Sequence, residues 1–402
     1  MAKRILIYTN HFYPENFKIN DVVKWLVDEK YLVTVITGNP NYPEGKLFKG
    51  FNKFGSIFIK DNLKIVRLPL IPRGKGKKIN LIFNYLTYFT SVFFYTFFLI
   101  LFKKKYELIL VHHTSPFLIA IHPLFYKFFR RSKIFLWDLD LWPQSLKALN
   151  IIVNKKALRL LEFIIKWVYR YYDKILISSK SFKNIVENRV QRSKVIYFPN
   201  WADLTIEKSL KEKIKNNIFS KQKVNILYAG NVGEAQDFNT LINACKKLDH
   251  DKIRFIILGD GRFKEEFIKS VKTNNLNKYF VFLKSVSSNE VYKYLNSADF
   301  LYLSLNDSEL FKMTVPAKLQ TYMAVGKPVI ANINGEGADL INDAKFGFVA
   351  DSGDYNGLVT IFDQILKLPK NESLKIGLNG KRFYQKNFKS ELRKIELLKI
   401  FI

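Results

Sequence analysis

The stretch NILYAGNVGEAQDFNTLINACKKL, residues 225–248, contains in order a short apolar run, a turn with two glycines and a longer helical pattern. Asn225–Tyr228 is predicted to be a buried strand and Phe238–Leu248 a helix. The turn Gly230-Asn231-Val232-Gly233 lies between them. Its backbone N–H groups, together with the helix N-terminus, can bind a phosphate. A strand-to-helix turn that simply requires glycine explains the same residues almost as well.

The alternation of apolar runs with helix-length segments extends over the whole chain. Strands are predicted at Arg4–Thr9, Leu32–Thr37, Lys64–Leu68, Leu108–His112, Ile134–Trp137, Ile175–Ser178 and Val195–Phe198, and again at Asn225–Tyr228, Phe255–Leu258, Phe280–Leu283, Phe300–Leu303 and Pro328–Ala331. Short β-branched or aromatic runs separated by helices are typical of parallel, doubly wound sheets. The predicted fold class is therefore α/β, with two Rossmann-like domains facing a cleft that receives the carboxyl ends of both sheets.

The strand pattern restarts after Pro199-Asn200-Trp201, and residues 203–223 are polar and Lys-rich, as expected of a linker. The predicted domains are residues 1–200 and 201–402, and the last helix could pack back on the first domain. The charge divides unevenly between them, because residues 1–200 carry a net charge of +22 and residues 201–402 only +8. This asymmetry favours a polyanionic partner for the first half, either nucleic acid or an anionic membrane. A solvated basic surface is the alternative.

The location of the protein is suggested by its single cysteine and its N-terminus. Cys245 alone excludes an intramolecular disulfide framework, which fits a reducing compartment. The N-terminus shows no secretory signal, because its apolar stretch Ile5–Tyr8 is too short. We therefore expect the protein to stay in the cytoplasm.

Two segments of the first half have the composition of membrane-binding helices. Ile79–Phe102 contains no charged residue and would be about 36 Å long as a helix, enough to span a bilayer. Basic clusters flank it on both sides, at Arg73–Lys78 and Lys103–Lys105, against the positive-inside tendency. Spanning would also cut one predicted sheet in two, so a buried or partly inserted helix is the favoured interpretation. Ile151–Tyr172 mixes apolar and basic residues, like an interfacial amphipathic helix or an ordinary surface helix.

Three further loops at predicted strand ends in the second half resemble the first glycine turn in chemistry. Gly259-Asp260-Gly261-Arg262 follows strand 255–258, and Gly335-Glu336-Gly337 follows the strand that begins at Pro328. Lys318 begins a predicted helix, where its charge suits a diphosphate. The carboxylate of Glu336 could accept a hydrogen bond from a ribose or sugar hydroxyl. Four such turns at the ends of successive strands indicate a nucleotide-diphosphate site.

The first half carries polar loops after its strands, at residues 10–21, 38–45, 112–116 and 138–143. Restricted loops with carboxylates and histidines at one sheet edge suit a polyhydroxylated acceptor. The catalytic candidates are Asp140 and His113, and the acceptor-side candidates are Glu15, Asn16 and Asn41. Each of them could instead be a cap or turn residue. The sequence contains no HExxH, GxSxG, GxxxxGK[ST] or GxGxxG motif and no familiar metal-ligand spacing, so no metal site is predicted.

Taken together, these motifs resemble those of the retaining GT-B glycosyltransferases of family 4, in the WcaI- and WbuB-like branch of colanic acid and O-antigen biosynthesis. The resemblance covers essentially the whole chain. Its longest segments are HFYPENFKIND at 11–21, GNPNYPEGKLFKGF at 38–51, DLWPQSL at 140–146, YFPNWAD at 197–203, YAGNVGEAQDF at 228–238, LGDGR at 258–262, VPAKLQTYMAVGKPVIA at 315–331 and GEGADLI at 335–341, with TSP at 114–116.

The resemblance implies transfer of a sugar, with retained configuration, from a UDP-sugar held by the C-terminal domain. The implied acceptor is a saccharide on undecaprenyl diphosphate, and the implied donor sugar is often N-acetylated, such as N-acetyl-L-fucosamine. The enzyme would work at the inner face of the plasma membrane, bound peripherally to its anionic surface, without a cofactor and without a metal. The implied donor-binding residues are Gly230, Asn231, Gly233, Asp260, Gly261, Arg262, Val286, Lys318, Thr321 and Glu336.

The sequence departs from the family pattern at the phosphate loop and at the paired glutamates. Asn231 and Gln236 stand where many members carry Arg and Lys, and Met313 and Thr321 stand where the glutamates are expected. Lys318, which is also a catalytic candidate, and Arg262 would then carry more of the diphosphate charge, and Glu336 is the possible ribose contact. Two rival functions remain: a UDP-sugar epimerase on the same fold, and a basic nucleic-acid-binding protein suggested by the charge of +30 alone.

Overall fold

The computed structural model describes residues 3–74, 78–102, 105–148, 151–152, 154–204, 214 and 218–401. The chain divides into two compact units, Met1–Phe198 with Glu396–Ile402, and Pro199–Ile395. They are called here the N-terminal and the C-terminal unit. Most of the predicted linker, residues 205–213 and 215–217, lies outside the described residues.

The described strands of the N-terminal unit form one sheet in the order β3-β4-β2-β1-β5-β6-β7-β8. They are β1 (Arg4–Thr9), β2 (Leu32–Gly38), β3 (Ser56–Lys60), β4 (Leu63–Leu68), β5 (Leu108–His113), β6 (Lys133–Asp138), β7 (Lys174–Ile177) and β8 (Val195–Tyr197). All neighbouring pairs are parallel except β3 with β4. The strand β3 was not predicted, although its sequence contains the apolar run Ile57-Phe58-Ile59; all five of its residues are exposed.

Helices cover this sheet, and their described bounds are α1 (Ile19–Asp28), α2 (Lys78–Phe102), α3 (His122–Arg130), α4 (Gln144–Ala148), α5 (Lys155–Arg170) and α6 (Phe182–Glu187). The predicted segment Ile151–Tyr172 contains α5, which begins later than predicted. The side chain of Asn154 accepts hydrogen bonds from the backbone N–H groups of Lys156 and Ala157 and so fixes the start of the helix.

The helix α2 turns its polar side chains toward the protein and its apolar side chains outward. The Asn84 amide donates to the Ile71 carbonyl at 2.6 Å, and the Thr96 hydroxyl lies 3.0 Å from the buried Tyr8 hydroxyl. Apart from Thr90, the exposed residues of α2 are apolar: Ile79, Ile82, Phe83, Leu86, Phe93, Phe94, Phe97, Phe98, Leu101 and Phe102. This distribution is the reverse of the one found on a surface helix of a globular protein.

By length and composition, α2 is the one helix among the described residues that could cross a membrane. It connects β4 with β5, and both strands belong to the same sheet. A crossing would separate them, as the sequence analysis expected. Of the basic clusters predicted to flank this helix, Lys75, Lys77, Lys103 and Lys104 lie outside the described residues.

The described strands of the C-terminal unit form an all-parallel sheet in the order β11-β10-β9-β12-β13-β14. They are β9 (Val224–Ala229), β10 (Ile253–Leu258), β11 (Phe280–Leu283), β12 (Phe300–Ser304), β13 (Val329–Asn332) and β14 (Gly347–Ala350). This is the 3-2-1-4-5-6 order of dinucleotide-binding domains. The strand β14 was not predicted, although its sequence contains the short apolar run Phe348-Val349-Ala350; only Ala350 of it is fully buried.

The described helices of this unit are α7 (Phe238–Cys245), α8 (Lys264–Thr273), α9 (Ser288–Ser297), α10 (Glu309–Lys312), α11 (Ala317–Val325), α12 (Glu336–Ala344), α13 (Tyr355–Lys367), α14 (Lys370–Asn387) and α15 (Ser390–Phe401). Residues of α15 from Glu396 onward belong to the N-terminal unit, where the Phe401 ring packs 5.8 Å from Phe135. One apolar cluster packs on each face of the C-terminal sheet, around Phe255 and Phe267 on one and around Leu319 and Tyr322 on the other. The predicted α/β class with two Rossmann-like units is confirmed.

Candidate functional site

The candidate site of the C-terminal unit lies at the carboxyl ends of β9, β10 and β12. In this strand order the connections run in opposite directions on either side of β9 and β12, which leaves a crevice at the ends of these two strands. The loop after β12 reaches the loop after β9, because the Asn306 N–H donates to the Ala235 carbonyl at 2.9 Å. The glycine turn at 230–233 therefore lies where open α/β sheets bind their ligands.

The loops that follow β9 and β10 are joined by backbone hydrogen bonds. The Val232 N–H donates to the Asp260 carbonyl at 2.9 Å, and the Phe263 N–H donates back to the Val232 carbonyl at 3.1 Å. Gly259 has φ of +146°, and a Cβ there would come 1.9 Å from the Gly230 carbonyl oxygen. Glycine is needed here because of both its backbone conformation and this close approach.

Asn231 and Gln236, which stand where the resembled family carries Arg and Lys, form hydrogen bonds within the glycine turn. The Gly233 N–H donates to the Gln236 side-chain oxygen at 2.9 Å, and the Asn231 amide lies 3.5 Å from the same oxygen. The Gly233 N–H, which the sequence analysis predicted to bind a phosphate, therefore already donates to the Gln236 side chain. Within the described part of this turn, from Gly230 to Asp237, no side chain is cationic.

The positive charge at this crevice comes from Lys318, the second residue of α11. Its Nζ donates to the Tyr228 hydroxyl at 3.1 Å and lies 4.8 Å from the centre of the Tyr228 ring. Its aliphatic chain lies against Gly230, since a Cβ there would come 2.6 Å from Cε. Burial lowers the pKa of Lys318 to about 8. Among the described residues no carboxylate forms an ion pair with it, so a bound anion would supply the missing counter-charge.

A cavity of about 350 Å³ opens beside Lys318 within the C-terminal unit. Its lining brings together three predicted donor-binding residues, Val286, Lys318 and Thr321. Asp203 also lines it and was missed by the sequence analysis, although it ends the quoted segment YFPNWAD. Arg262 and Glu336 are not part of this lining; Arg262 is exposed on the loop after β10, and Glu336 is half-buried at the first position of α12.

Asp260 positions a loop and is not aimed at the cavity. Its carboxylate accepts hydrogen bonds from the Ser285 N–H and from Lys264 Nζ, both at 2.9 Å. These donors lower the pKa of Asp260 to about 2. Lys264 also donates to the Leu283 carbonyl at 2.7 Å. The two side chains hold the segment that carries Val286.

In the N-terminal unit the catalytic candidate His113 is completely buried at the end of β5. Its Nδ1 lies 2.6 Å from an oxygen of Asp138, which is also fully buried, and the Tyr169 hydroxyl donates to the other oxygen. Among the described residues, Nε2 of His113 has no hydrogen-bond partner. Asp138 was interpreted from sequence as a turn residue; its pairing with His113 joins two neighbouring strands. Asp140 is half-buried and accepts from the Trp142 indole N–H at 3.2 Å.

The predicted acceptor-side residues differ in their surroundings. The buried Glu15 carboxylate accepts from the backbone N–H groups of Asn41 and Tyr42, at 2.8 and 2.7 Å, and lies 2.9 Å from His11 Nδ1. Asn41 is buried as well and accepts from the Arg73 N–H. Glu15 and Asn41 therefore clamp two loops together, whereas Asn16 is exposed.

A row of buried polar side chains crosses this sheet beneath the same loops and was not predicted. Thr37 pairs in register with Arg67, and Thr9 pairs with His112. The Thr9 hydroxyl lies 2.9 Å from His112 Nδ1, and burial lowers the pKa of His112 to about 3. In the part of the chain that the structure describes, Thr37 Oγ1, Arg67 Nη1 and His112 Nε2 have no partner. Buried groups of this kind can accept and donate to hydroxyls of a polar ligand.

The described residues contain no group of three His, Cys, Asp or Glu side chains arranged to hold a metal ion. The donor set at the C-terminal crevice is instead a lysine, backbone N–H groups and the start of α11. That set suits a diphosphate.

Comparison with known proteins gives a family for part of the chain. Residues 209–383 match the model of the family described as glycosyl transferases group 1. The matched residues lie within the C-terminal unit.

Several curated proteins are similar in sequence. A 2-deoxystreptamine N-acetyl-D-glucosaminyltransferase of Niallia circulans is 27% identical over 40% of each chain. The putative colanic acid biosynthesis glycosyl transferase WcaI of Escherichia coli is 22% identical over 80% of this chain and 81% of its own. A Campylobacter jejuni enzyme, N-acetylgalactosamine-N,N'-diacetylbacillosaminyl-diphospho-undecaprenol 4-alpha-N-acetylgalactosaminyltransferase, is 26% identical over 56% of this chain and 59% of its own. The chain spans about half the length of most of these relatives.

Solved structures share the fold over the whole chain. Sucrose-phosphate synthase from Thermosynechococcus elongatus superposes with a TM-score of 0.72 at 14% identity, covering 100% of this chain and 98% of its own. Anabaena HepE, solved in complex with UDP and glucose, superposes with a TM-score of 0.67 at 11% identity, covering 100% and 99%. The predicted GT-B fold class is confirmed by these neighbours.

Proposed function

We propose, on the premise that residues 209–383 form a glycosyltransferase group 1 domain, that the protein transfers a sugar from a UDP-sugar to a saccharide on undecaprenyl diphosphate. The reaction retains the anomeric configuration and contributes to a bacterial surface polysaccharide. The sugar is N-acetylated, such as N-acetyl-L-fucosamine. The observation that carries the proposal is Lys318, a cation without a carboxylate partner among the described residues, beside a cavity at the carboxyl ends of the C-terminal sheet.

The named relatives support this substrate pair. The Campylobacter relative is named for transfer to a diphospho-undecaprenol-linked saccharide, and the Anabaena neighbour was solved with UDP and glucose. Two of the relatives, those of Niallia and Campylobacter, are named for transfer of N-acetylated sugars.

The chemistry follows from the charge that develops on the leaving diphosphate. As the bond between sugar and UDP breaks, Lys318 and the N-terminal N–H groups of α11 stabilise the departing oxygen. The acceptor hydroxyl attacks from the same face, which gives retention without a carboxylate nucleophile. Two groups of the N-terminal unit are assigned to its proton, Asp140 and His113 Nε2, the second oriented by Asp138.

The proposal is tested by measuring release of UDP from a panel of UDP-sugars, with and without membranes that contain lipid-diphosphate-linked saccharides. One UDP-sugar is expected to release UDP rapidly, and only when acceptor is present. Conversion of a UDP-sugar to its epimer without UDP release would instead support an epimerase.

The affinity for UDP is expected to depend on pH through Lys318. Its charged form binds the diphosphate, and its pKa of about 8 means that binding above this pH requires uptake of a proton. The dissociation constant should therefore be constant below pH 8 and rise up to about tenfold per pH unit above it. Calorimetric titrations between about pH 6.5 and 9.5 measure this profile. Lys318→Arg should flatten it, since a guanidinium stays charged throughout; a flat wild-type profile would contradict the assignment.

Transfer is expected to persist in excess EDTA. Lys318 and the start of α11 are assigned the role that a divalent cation has in metal-dependent transferases. Initial rates of UDP release with and without chelator measure the effect. Complete loss of activity in EDTA, with recovery on addition of Mg²⁺ or Mn²⁺, would show that a metal ion carries the diphosphate charge.

The enzyme is further proposed to be cytoplasmic and bound peripherally to the inner face of the plasma membrane through α2. The outward face of this helix is apolar and its polar side chains bond to the protein, as described above. An exposed apolar face of this size marks an interaction surface. The net charge of +22 on residues 1–200 favours an anionic bilayer as the partner.

Flotation with anionic liposomes is expected to recover the protein at low salt and to recover less at high salt. Each Lys or Arg near an anionic surface contributes about 1 kcal/mol, so six to eight of them are enough for reversible binding. Liposomes of neutral lipid are the control and should bind more weakly. A protein that stays unbound with anionic liposomes at low salt would overturn this localisation.

A further inference from the structure

A second apolar feature of the N-terminal unit lies between α3 and α5, away from the sites described so far. It is a groove of about 820 Å³. Its walls are aromatic, with Phe125, Phe128 and Phe129 from α3 and Trp167 and Tyr171 from α5.

The wall residues are large and exposed. Phe128 is 81% exposed and Trp167 is 47% exposed, although aromatic side chains of this size gain most when they are removed from water. They are ordered against each other, since the ring pairs Phe128–Phe129 and Trp167–Tyr171 are T-shaped at 5.4 and 5.1 Å. The groove therefore offers a preformed apolar surface to a ligand.

The charge around the groove is positive. Arg131 and Lys133 line it and are exposed, and neither forms an ion pair within the described residues. The carboxylate of Asp173 in the lining is neutralised by Lys127, whose Nζ lies 2.8 Å away and also donates to the Tyr171 carbonyl at 2.7 Å. An apolar channel with a cationic margin is complementary to a hydrocarbon chain with an anionic head.

The groove lies at the opposite end of the sheet from the residues assigned to the reaction. It lies at the amino ends of β6 and β7, since Lys133 and Asp173 line it. His113 and Asp138 lie at the carboxyl ends, about 20 Å away along six-residue strands. Its occupant is therefore not the reacting saccharide. The groove is continuous with the exposed face of α2, because the Phe93 ring packs at 6.0 Å against Phe125.

We propose that the groove between α3 and α5 binds an acyl chain of an anionic membrane phospholipid, with Arg131 and Lys133 beside its headgroup. The bound lipid anchors the N-terminal unit, and the surface that meets the bilayer then comprises α2, α3 and α5. The inference rests on the membrane association proposed above and does not depend on the transfer reaction.

The test uses vesicles of anionic phospholipid whose acyl chains carry bromine, which quenches tryptophan fluorescence on contact. Trp167 lines the groove, whereas Trp25, Trp137 and Trp201 are buried and Trp142 is half-buried in the loop after β6, at the opposite end of that strand from the groove. Binding to brominated vesicles is expected to remove most of the Trp167 emission, and Trp167→Phe should lose this quenchable component. Phe128→Ser should weaken partitioning about tenfold, because it removes one large aromatic contact with the chain. Phe54→Ser, at a position 88% exposed outside the groove, is the matched control and should partition like the wild type.

Three results would overturn the proposal. Vesicle-bound protein with unquenched Trp167 would mean that α2 alone meets the bilayer. A lipid-free dimer that Phe128→Ser dissociates would mean that a second copy fills the groove. No binding to vesicles would remove both this lipid site and the membrane localisation, while UDP release with a short-chain soluble acceptor would still support the transfer reaction.

Discussion

Lys318→Ala is expected to lower sugar transfer about 100-fold and to leave the fold intact. A buried, charge-assisted contact to a leaving group contributes about 3 kcal/mol to the transition state, which corresponds to this factor. The loss should be large here because no cation is present on the described turn after β9, and Lys318 is the cation lining the adjacent cavity. Initial rates of UDP release from the preferred UDP-sugar, at saturating acceptor, measure the effect.

The control for this variant is Lys375→Ala, an exposed lysine on α14 whose removal changes the net charge equally. It should retain wild-type activity. Lys318→Arg should recover part of the lost rate, because it restores the charge without the same geometry. Unchanged turnover in a folded Lys318→Ala protein would remove Lys318 from the donor site.

The second large effect is expected from Gly259→Ala, which should destabilise the C-terminal unit by about 3 kcal/mol or more. An alanine is strained at φ of +146°, and its Cβ would lie 1.9 Å from the Gly230 carbonyl oxygen. Because that neighbour is backbone, the glycine turn at 230–233 must move. The thermal midpoint should fall by roughly 6–12 °C, with a parallel loss of UDP affinity.

Gly353→Ala separates the two causes of this loss. Gly353 has φ of +81°, and a Cβ there would meet nothing within 4 Å. Its substitution should therefore cost only the backbone strain, about 1–2 kcal/mol, and leave UDP affinity unchanged. If Gly259→Ala and Gly353→Ala destabilise the protein equally, the close approach of the two loops does not matter.

The sequence was sufficient to predict those parts of the fold that bury a continuous apolar run. Phe255–Leu258 and Phe300–Leu303 are buried along their length, and both appear in the sequence as uninterrupted apolar stretches. The strands β3 and β14 were missed although they contain the short apolar runs Ile57-Phe58-Ile59 and Phe348-Val349-Ala350; β3 is exposed throughout, and only one residue of β14 is fully buried. Their pairing is set by the neighbouring strand, which no local pattern records.

The site residues divide in the same way. Lys318 could be found from sequence because a lone lysine at the start of a predicted helix indicates an anion site from the local sequence alone. The pairing of Asp138 with His113 could not, since the contact joins two strands through residues 25 positions apart in the sequence. The role of Gln236 also depends on geometry, because its side-chain oxygen caps the Gly233 N–H.

The orientation of α2 could not be predicted from the sequence for a different reason. Its 24 uncharged residues are apolar on nearly every side, so the sequence has no period that indicates which face is buried. The few polar residues within it were interpreted as interruptions of an apolar helix. In the structure, Asn84 and Thr96 are the residues that fix its inner face against the protein.

The most direct measurement is the mass of the acceptor after incubation of the purified protein with a lipid-diphosphate-linked saccharide and a panel of UDP-sugars. We expect one donor to add the mass of one glycosyl residue to the acceptor, and Lys318→Ala to reduce this product greatly. An acceptor of unchanged mass with every donor, together with isomerised or hydrolysed UDP-sugar, would contradict this expectation.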